Sequence, residues 1–326
     1  MLRLHKLHTP RPDMTVVSND PAQWPFISYF NLSSYFIVVS SAVVVYDWAL
    51  TFEQEFELVW KQHWSFITIL YVCVRYIGLS YSLINVLWHL PVSITDIVGF
   101  IAYFIWTWIP VVVDVMLGVI MMIRIQAMYG RSKKMLIFLV IVLLTSTVAA
   151  GITTVMGNIG ISVEEFVFSG YHMCLFSTDD LDKVKLNDES VVPTAIWEIL
   201  AFVLAVWVII KHFRELRQFP TRSTIGDCFT VLIQSHTFYF VAFAIVACLN
   251  LGSLSTYIMF SSSVGSSYYI GISQIVQELQ MFVLGPRLVL SIREYHSKLL
   301  ARSDEGTAMT TIHFQAGGDV LSGGDV

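Results

Sequence analysis

Long runs of apolar residues, separated by shorter polar stretches, recur along the whole chain. Each run approaches the roughly 20 residues that a helix needs to cross about 30 Å of hydrocarbon. The apolar and polar alternation of membrane β-barrel strands is absent. The pattern predicts an all-α fold, an integral membrane seven-helix bundle, with spans approximately at Ser28–Leu50, Trp64–Leu87, Ile97–Ile123, Met135–Val155, Pro193–Ile210, Phe229–Leu249 and Tyr268–Leu290.

The same pattern divides the chain into three regions. Residues 1–27 are predicted to be an extracellular segment, residues 28–290 the seven-helix domain, and residues 291–326 a cytoplasmic tail. The tail has too little apolar surface to fold alone, so we expect it to be disordered. The long acidic connection at 156–192 is expected to be a structured external loop. No signal-peptide pattern precedes Trp24, so the first span is expected to direct insertion, with Met1 or Met14 as the start.

The positions of lysine and arginine predict the orientation of the bundle. Basic residues in short connections favour the cytoplasmic side. With the N-terminus outside and the C-terminus in the cytoplasm, thirteen basic residues lie inside and five outside. The basic N-terminal segment opposes this assignment, but the total favours it.

Composition supports lipid as the main solvent. Of 326 residues, 56% are hydrophobic and 13% charged, and the mean hydropathy is +0.68. A water-exposed globular surface cannot accommodate that balance. Nothing indicates nucleic acid binding, and the four cysteines form no recognisable disulfide framework. The lipid bilayer is therefore the one partner that composition implies.

The connection between the first two spans carries local helix signals. Thr51 followed by Gln54 resembles a capping box, and Glu57 precedes Lys61 by four residues. A short interfacial helix is predicted there. Trp60 and the nearby Trp64 would then lie at headgroup depth, where amphipathic rings are favoured.

Four residues of the Asp, Glu, Lys and Arg types lie more than three residues from the ends of the predicted spans: Arg75, Asp114, Glu198 and Glu278. A charge at membrane depth costs roughly 2.5 to 3.5 kcal/mol on insertion scales, so such groups should face one another or water. At about 1.5 Å per residue, Arg75, Asp114 and Glu278 all lie about 13 to 16 Å from the cytoplasmic end of their spans, and therefore at a similar depth. We therefore expect Arg75 to pair with Asp114, Glu278 or both, either as a structural ion pair or as part of an ion pathway or switch.

Aromatic residues offer candidates for a cavity. Trp106 and Tyr103 in the third span, with Glu198 in the fifth, are the predicted cavity lining, although packing and interface anchoring explain aromatics equally simply. Pro110 is expected to kink the third helix close to Asp114.

Recognisable catalytic and cofactor motifs are missing. There is no phosphate-binding loop, HExxH or GxSxG, so an enzyme is disfavoured. The seventh span contains no lysine, which excludes a retinal Schiff base there. His236 has no second histidine at helical spacing, so no metal site is predicted. We expect no cofactor.

One stretch, at about 46–85, carries a distinctive set of residues: Tyr46, Asp47, Glu55, Trp60, Tyr71 and Arg75. This stretch is similar to the N-terminal signature of a large fungal, chiefly basidiomycete, family of multi-spanning membrane proteins, defined by a domain of unknown function (family 6533). The C-terminal stretches 287–294 and 309–314 are also similar to how members end. The resemblance implies a seven-helix fold, assigns no catalytic residue, and suggests a structural role for the signature residues.

Two functions remain open. A receptor-like sensor with a cytoplasmic signalling partner and an unknown ligand is the first, although the Asp-Arg-Tyr and Asn-Pro-x-x-Tyr switches of G-protein-coupled receptors are absent. A proton or ion transporter or channel that uses the buried charges is the alternative. The plasma membrane is the expected location.

Overall fold

The structure, a computed structural model, describes most of the apolar part of the chain. Helix α1 spans Trp24–Glu55 and continues as a π-helical stretch, Phe56–Trp60, which we call the first π segment. The other helices are α2 (Phe66–Trp88), α3 (Asp96–Met128), α4 (Lys133–Asn158), α5 (Val191–Gln218), α6 (Tyr239–Ser253) and α7 (Val264–Leu279). The described residues are 16–18, 20–21, 24–61, 64–90, 96–130, 132–168, 170–177, 183, 185–186, 189–218, 239–255, 263–291 and 293–294.

Five helices among the described residues are long and apolar enough to cross a membrane. They are Trp24–Trp60, Phe66–Trp88, Ile97–Met128, Lys133–Asn158 and Val191–Lys211. The first five predicted spans correspond to them, and the helices extend beyond the predicted ends. The beginning of the sixth predicted span, 229–238, lies outside the described residues, as do most of the N-terminal segment and the tail beyond 294.

Each helix from α1 to α5 packs against at least two others. Helix α1 lies between α2 and α7, whereas α3 contacts α2, α4 and α5, and α4 also contacts α5. The outer faces stay strongly apolar: on α4, Ile137, Leu144 and Val148 are all more than half exposed. Exposed apolar area of this extent requires a non-aqueous surrounding. The chain is therefore a multi-pass helical membrane protein.

The junction between α1 and α2 differs from the predicted one. Thr51 is inside α1, where its hydroxyl donates to the Asp47 carbonyl at 2.8 Å, so the predicted capping box at Thr51 was wrong. The chain leaves α1 through the first π segment rather than through a separate interfacial helix. The capping box of this region is at Ser65, whose side chain and backbone exchange hydrogen bonds with Thr68. That exchange satisfies donors at the beginning of α2.

Helix α7 also continues through a π-helical stretch. This second π segment, Gln280–Leu284, is followed by a helical turn at 285–291. Phe282 packs directly on Gly78 of α2, where an added Cβ would lie 2.5 Å from the Phe282 ring. The absence of a side chain at Gly78 thus permits α2 and α7 to approach closely.

A small sheet follows α4. Strands β2 (Ser162–Phe168) and β3 (Tyr171–Ser177) form an antiparallel hairpin, and β1 (Val16–Ser18) pairs in parallel with β2. Gly170, with φ of 86°, lies at the hairpin turn, where the left-handed conformation favours glycine. The ring of Phe168 packs edge-on against Phe26 at the start of α1. The loop that we expected to be structured therefore contains a hairpin.

Candidate functional site

A row of polar residues on one face of α1 begins the most extensive polar network that the described residues contain. Asp47, Thr51 and Glu55 are spaced by four residues, so they lie on the same side of the helix. All three are buried, and Glu55 is 0% exposed. A helix that exposes apolar residues to lipid elsewhere thus presents a polar stripe to its neighbours.

Arg75 of α2 meets this stripe. Its Nη1 donates to Asp47 Oδ2 at 2.7 Å, and its Nη2 donates to the Asp47 carbonyl and to the Thr51 hydroxyl. Glu55 Oε2 lies 3.8 Å from Arg75 Nε, which is an ion pair but too long for a hydrogen bond. Arg75 is 2% exposed, so water cannot solvate its charge. The carboxylates of Asp47 and Glu55 compensate this charge instead.

Glu55 receives three further donors. The hydroxyls of Tyr71 and Tyr76 donate to it at 3.2 and 2.9 Å, and the indole N–H of Trp60 donates at 3.3 Å. Trp60 belongs to the first π segment, and the tyrosines flank Arg75 on α2. The carboxylate therefore joins α1, the π segment and α2 in one hydrogen-bonded unit.

The last helical turn brings a second arginine to Asp47. Arg287 Nε lies 2.5 Å from Asp47 Oδ1, and the Arg287 side chain is 46% exposed while Asp47 is 3% exposed. Asp47 therefore bridges one buried and one half-exposed guanidinium. We call the set of Asp47, Thr51, Glu55, Arg75 and Arg287 the ionic network. Its two carboxylates and two guanidiniums balance in charge.

Arg293 attaches the same end of the chain to the α1–α2 junction. Its guanidinium donates to the Leu58 carbonyl at 2.6 Å and to the Ser65 and Thr68 hydroxyls. Two arginines that follow the second π segment thus hold the end of the last helix against α1 and α2.

Glu278 lies in a different environment. Its Oε1 accepts from Asn85 Nδ2 at 3.1 Å and from Gln274 Nε2 at 3.5 Å, and it is 2% exposed. Its Oε2 has no hydrogen-bond partner among the described residues, although the Ser40 hydroxyl of α1, which donates to the Ile37 carbonyl, lies near the carboxyl group. We expected Arg75 to pair with Asp114 or Glu278, and the structure instead gives Arg75 the carboxylates of Asp47 and Glu55.

Asp114 lies near Glu198, which is also an acid and is buried. Glu198 of α5 accepts a hydrogen bond from Gln280 of the second π segment, and Asp114 of α3 is close enough to interact electrostatically with Glu198. Residues of α3, α5 and the second π segment therefore meet at this acidic pair. Arg75 is not part of it, because Arg75 pairs with Asp47 and Glu55. The three residues that we expected to form one cluster are divided among three environments.

The predicted cavity lining is also divided. Trp106 lines a small pocket between α2 and α3 together with Tyr81, Asn85 and Trp88. Tyr103 packs against Trp106 with ring centroids 6.3 Å apart and bonds Asn158 of α4. Glu198 is not among the residues of this pocket.

His89 follows Asn85 by one turn, just beyond α2. Its Nδ1 bonds the Asn85 carbonyl at 2.9 Å, and its ring stacks on Phe30 with centroids 5.2 Å apart. Burial lowers the pKa of His89 below its usual 6.5, although the bond to Asn85 opposes this in part. The imidazole is therefore neutral at pH 7.

Five of the six signature residues in the sequence resemblance meet in the structure. Asp47, Glu55, Trp60, Tyr71 and Arg75 form or contact the ionic network, whereas Tyr46 is 64% exposed on the outer face of α1. Residues 35–80 match the sequence model of a family of unknown function, DUF6533. The chain carries this domain. The DUF6533 match supplies every member of the network except Arg287. A search among curated proteins finds no match.

Sequence reasoning missed Thr51, Arg287 and Gln280 as site residues. The spacing of Asp47, Thr51 and Glu55 by four was a usable signal, because it places three polar groups on one face of an apolar helix. Arg287 carried no comparable signal, since a basic residue at the end of a span is expected from topology alone.

Proposed function

We propose that the DUF6533 protein is a receptor-like sensor, a seven-helix bundle with the N-terminus outside and the C-terminus in the cytoplasm, located in the plasma membrane. Helices α6 and α7 supply the two spans beyond the five long ones. The thirteen basic residues predicted inside support the orientation. No catalytic activity is part of the proposal, and its fungal origin remains a prediction.

The contact of Arg287 with Asp47 carries the proposal. Arg287 is half exposed, and its partner is buried and already bonded to Arg75. Asp47 therefore keeps a charge partner when the Arg287 contact breaks. Breaking the Arg287 contact accordingly leaves no unpaired charge on Asp47, as a contact that alternates between two states requires.

The second π segment lies between this contact and the rest of α7. Single-turn π-helical stretches interrupt regular helix hydrogen bonding and recur at functional sites. Residues before and within the segment, Glu278 and Gln280, contact Asn85 and Glu198. A change at these polar contacts can therefore reach Arg287 through one continuous element. A cytoplasmic signalling partner would detect the resulting movement at the end of the last helix.

Spin-label distances test this two-state element. Labels at Ser291→Cys and Lys133→Cys, in a variant without native cysteines, report the end of the last helix relative to α4. We expect one distance in the otherwise native protein and a second, longer population in Arg287→Gln. The control is Arg214→Gln, an exposed arginine on α5. An identical distribution in Arg287→Gln and the control contradicts the proposal.

Proton or ion transport is the second candidate, and the acidic pair favours it. Asp114 and Glu198 approach each other, with Gln280 bonded to Glu198, and Gln280 Oε1 has no partner among the described residues. Acids at membrane depth mark ion and proton pathways. Transport predicts proton or cation flux, measured with the protein in liposomes, that depends on Asp114, Glu198 and Glu278.

A further inference from the structure

The pocket between α2 and α3 ends at unpaired hydrogen-bond acceptors. Asn85 lines it, is 3% exposed, and has no partner for its Oδ1 among the described residues. Glu278 Oε2 and, one turn before Asn85, the Ser82 hydroxyl also have no partner among the described residues. Neither residue lines the pocket itself, and Glu278 adjoins it through its hydrogen bond with Asn85. Buried polar atoms without partners cost about 1 to 3 kcal/mol each, so several in one place indicate a missing donor.

The orientation of the Asn85 amide follows from its other contact. Nδ2 donates to the Glu278 carboxyl at 3.1 Å. A flipped amide would place its oxygen against a carboxylate oxygen, which is unfavourable. Oδ1 is therefore the atom left unpaired, and it lacks a donor.

Charge is unbalanced as well. Among the described residues no lysine, arginine or histidine forms an ion pair with Glu278. Arg75 lies ten residues before Asn85 on α2, about 15 Å along the helix, and is paired with Asp47 and Glu55. His89 is neutral and bonded to the Asn85 carbonyl. A buried carboxylate without a cation is strongly unfavourable.

The walls of the pocket are aromatic. Tyr81, Trp88 and Trp106 line it, and Tyr81 is close enough to interact electrostatically with Glu278. Aromatic faces attract cations, and indole does so best. The space holds about one water-sized group. The occupant must therefore be small, positively charged and rich in N–H donors.

We propose that Asn85, Glu278 and the aromatic wall bind a small ammonium-type cation, either ammonium or the head of a short primary amine. Water supplies donors but no positive charge. A proton on Glu278 removes the charge but supplies one donor for several acceptors. Ammonium supplies four donors and the head of a primary amine three, in each case together with the charge, and the nitrogen group matches the pocket in size. The site is separate from the ionic network and does not depend on the sensor proposal.

Equilibrium binding of radiolabelled methylammonium to the full chain in nanodiscs tests this site. At constant ionic strength and pH 6.5, we expect saturable binding that unlabelled ammonium displaces. Tetramethylammonium, which has the charge but no N–H, and potassium, which matches ammonium in size, should displace it poorly. Glu278→Gln should weaken binding about tenfold or more, because a hydrogen bond to a charged group is lost.

Glu198→Gln is the matched control, since it changes a buried acid at the other polar contact of the last helix and should leave binding unchanged. If Glu278→Gln does not fold, Asn85→Ala removes one acceptor and should still weaken binding several-fold. No saturable binding to the folded native protein, equal displacement by potassium, or equal loss in Glu198→Gln would each overturn the proposal.

Discussion

Removal of the Arg75 guanidinium tests the ionic network most simply. Arg75→Gln leaves Asp47 with Arg287 and leaves Glu55 with three hydrogen-bond donors but no cation. Breaking a buried pair by removing one partner costs about 3 to 5 kcal/mol. Because Arg287 still compensates Asp47, we expect a loss of unfolding free energy near the lower limit, about 3 kcal/mol.

Arg287→Gln is the matched comparison. It removes the other guanidinium from Asp47, but its side chain is 46% exposed, and pairs exposed to solvent contribute about 0 to 1 kcal/mol. We therefore expect a loss of about 1 kcal/mol or less.

Both values can be measured by reversible unfolding in mixed micelles, with the Asp47→Asn variant closing a double-mutant cycle. The double variant Asp47→Asn with Arg75→Gln should lose less than the sum of the single losses, with a coupling of about 1 to 3 kcal/mol. If Arg75→Gln costs no more than Arg287→Gln, or if the cycle shows no coupling, the network does not stabilise the bundle as described.

Three further variants test local features by thermal unfolding. Gly78→Ala should destabilise the protein by about 1 to 3 kcal/mol, because the added Cβ would lie 2.5 Å from the Phe282 ring. The control Gly151→Ala, whose Cβ would meet no atom within 4 Å, should not destabilise it. Equal effects of the two variants would contradict the close packing of Phe282 on Gly78. Ser65→Ala should lower stability by about 1 kcal/mol, because the helix cap is lost, and Ser65→Thr should retain most of the stabilisation by the cap. Equal stability of the two variants would contradict the role of Ser65 as a cap. His89 binds a proton more weakly in the folded protein than in the unfolded chain, so stability should fall as pH decreases below 6.5. This fall should be smaller in His89→Gln. The same pH dependence of stability in the variant and the native protein would refute the contribution of His89.

The hydropathy pattern predicted the first five spans because a helix in lipid must carry a long apolar run. It predicted their ends less well, since α1 and α3 extend into interfacial sequence that hydropathy does not mark as helix. The hairpin β2–β3 could not be derived from apolar runs, because its stability depends on pairing across the turn at Gly170. The seven-helix count and the orientation remain predictions.

The partners of the buried charges were harder to predict than the charges themselves. Depth along a span placed Arg75, Asp114 and Glu278 at one level, but depth says nothing about which helices are neighbours. Asp47 lies three residues before the predicted end of the first span and Glu55 lies beyond it, so neither was considered as a partner for Arg75. The extension of α1 to Glu55 puts these carboxylates beside Arg75.

Charge flux in liposomes tests most directly whether the buried charges hold and switch the bundle or conduct through it. Purified native protein would be compared with Asp114→Asn and Glu278→Gln while proton and cation movement are followed, with folding checked by thermal unfolding. The sensor account predicts no flux above that of empty liposomes from folded protein. Flux in the native protein that disappears in both variants would contradict the sensor account and make the buried acids a transport pathway.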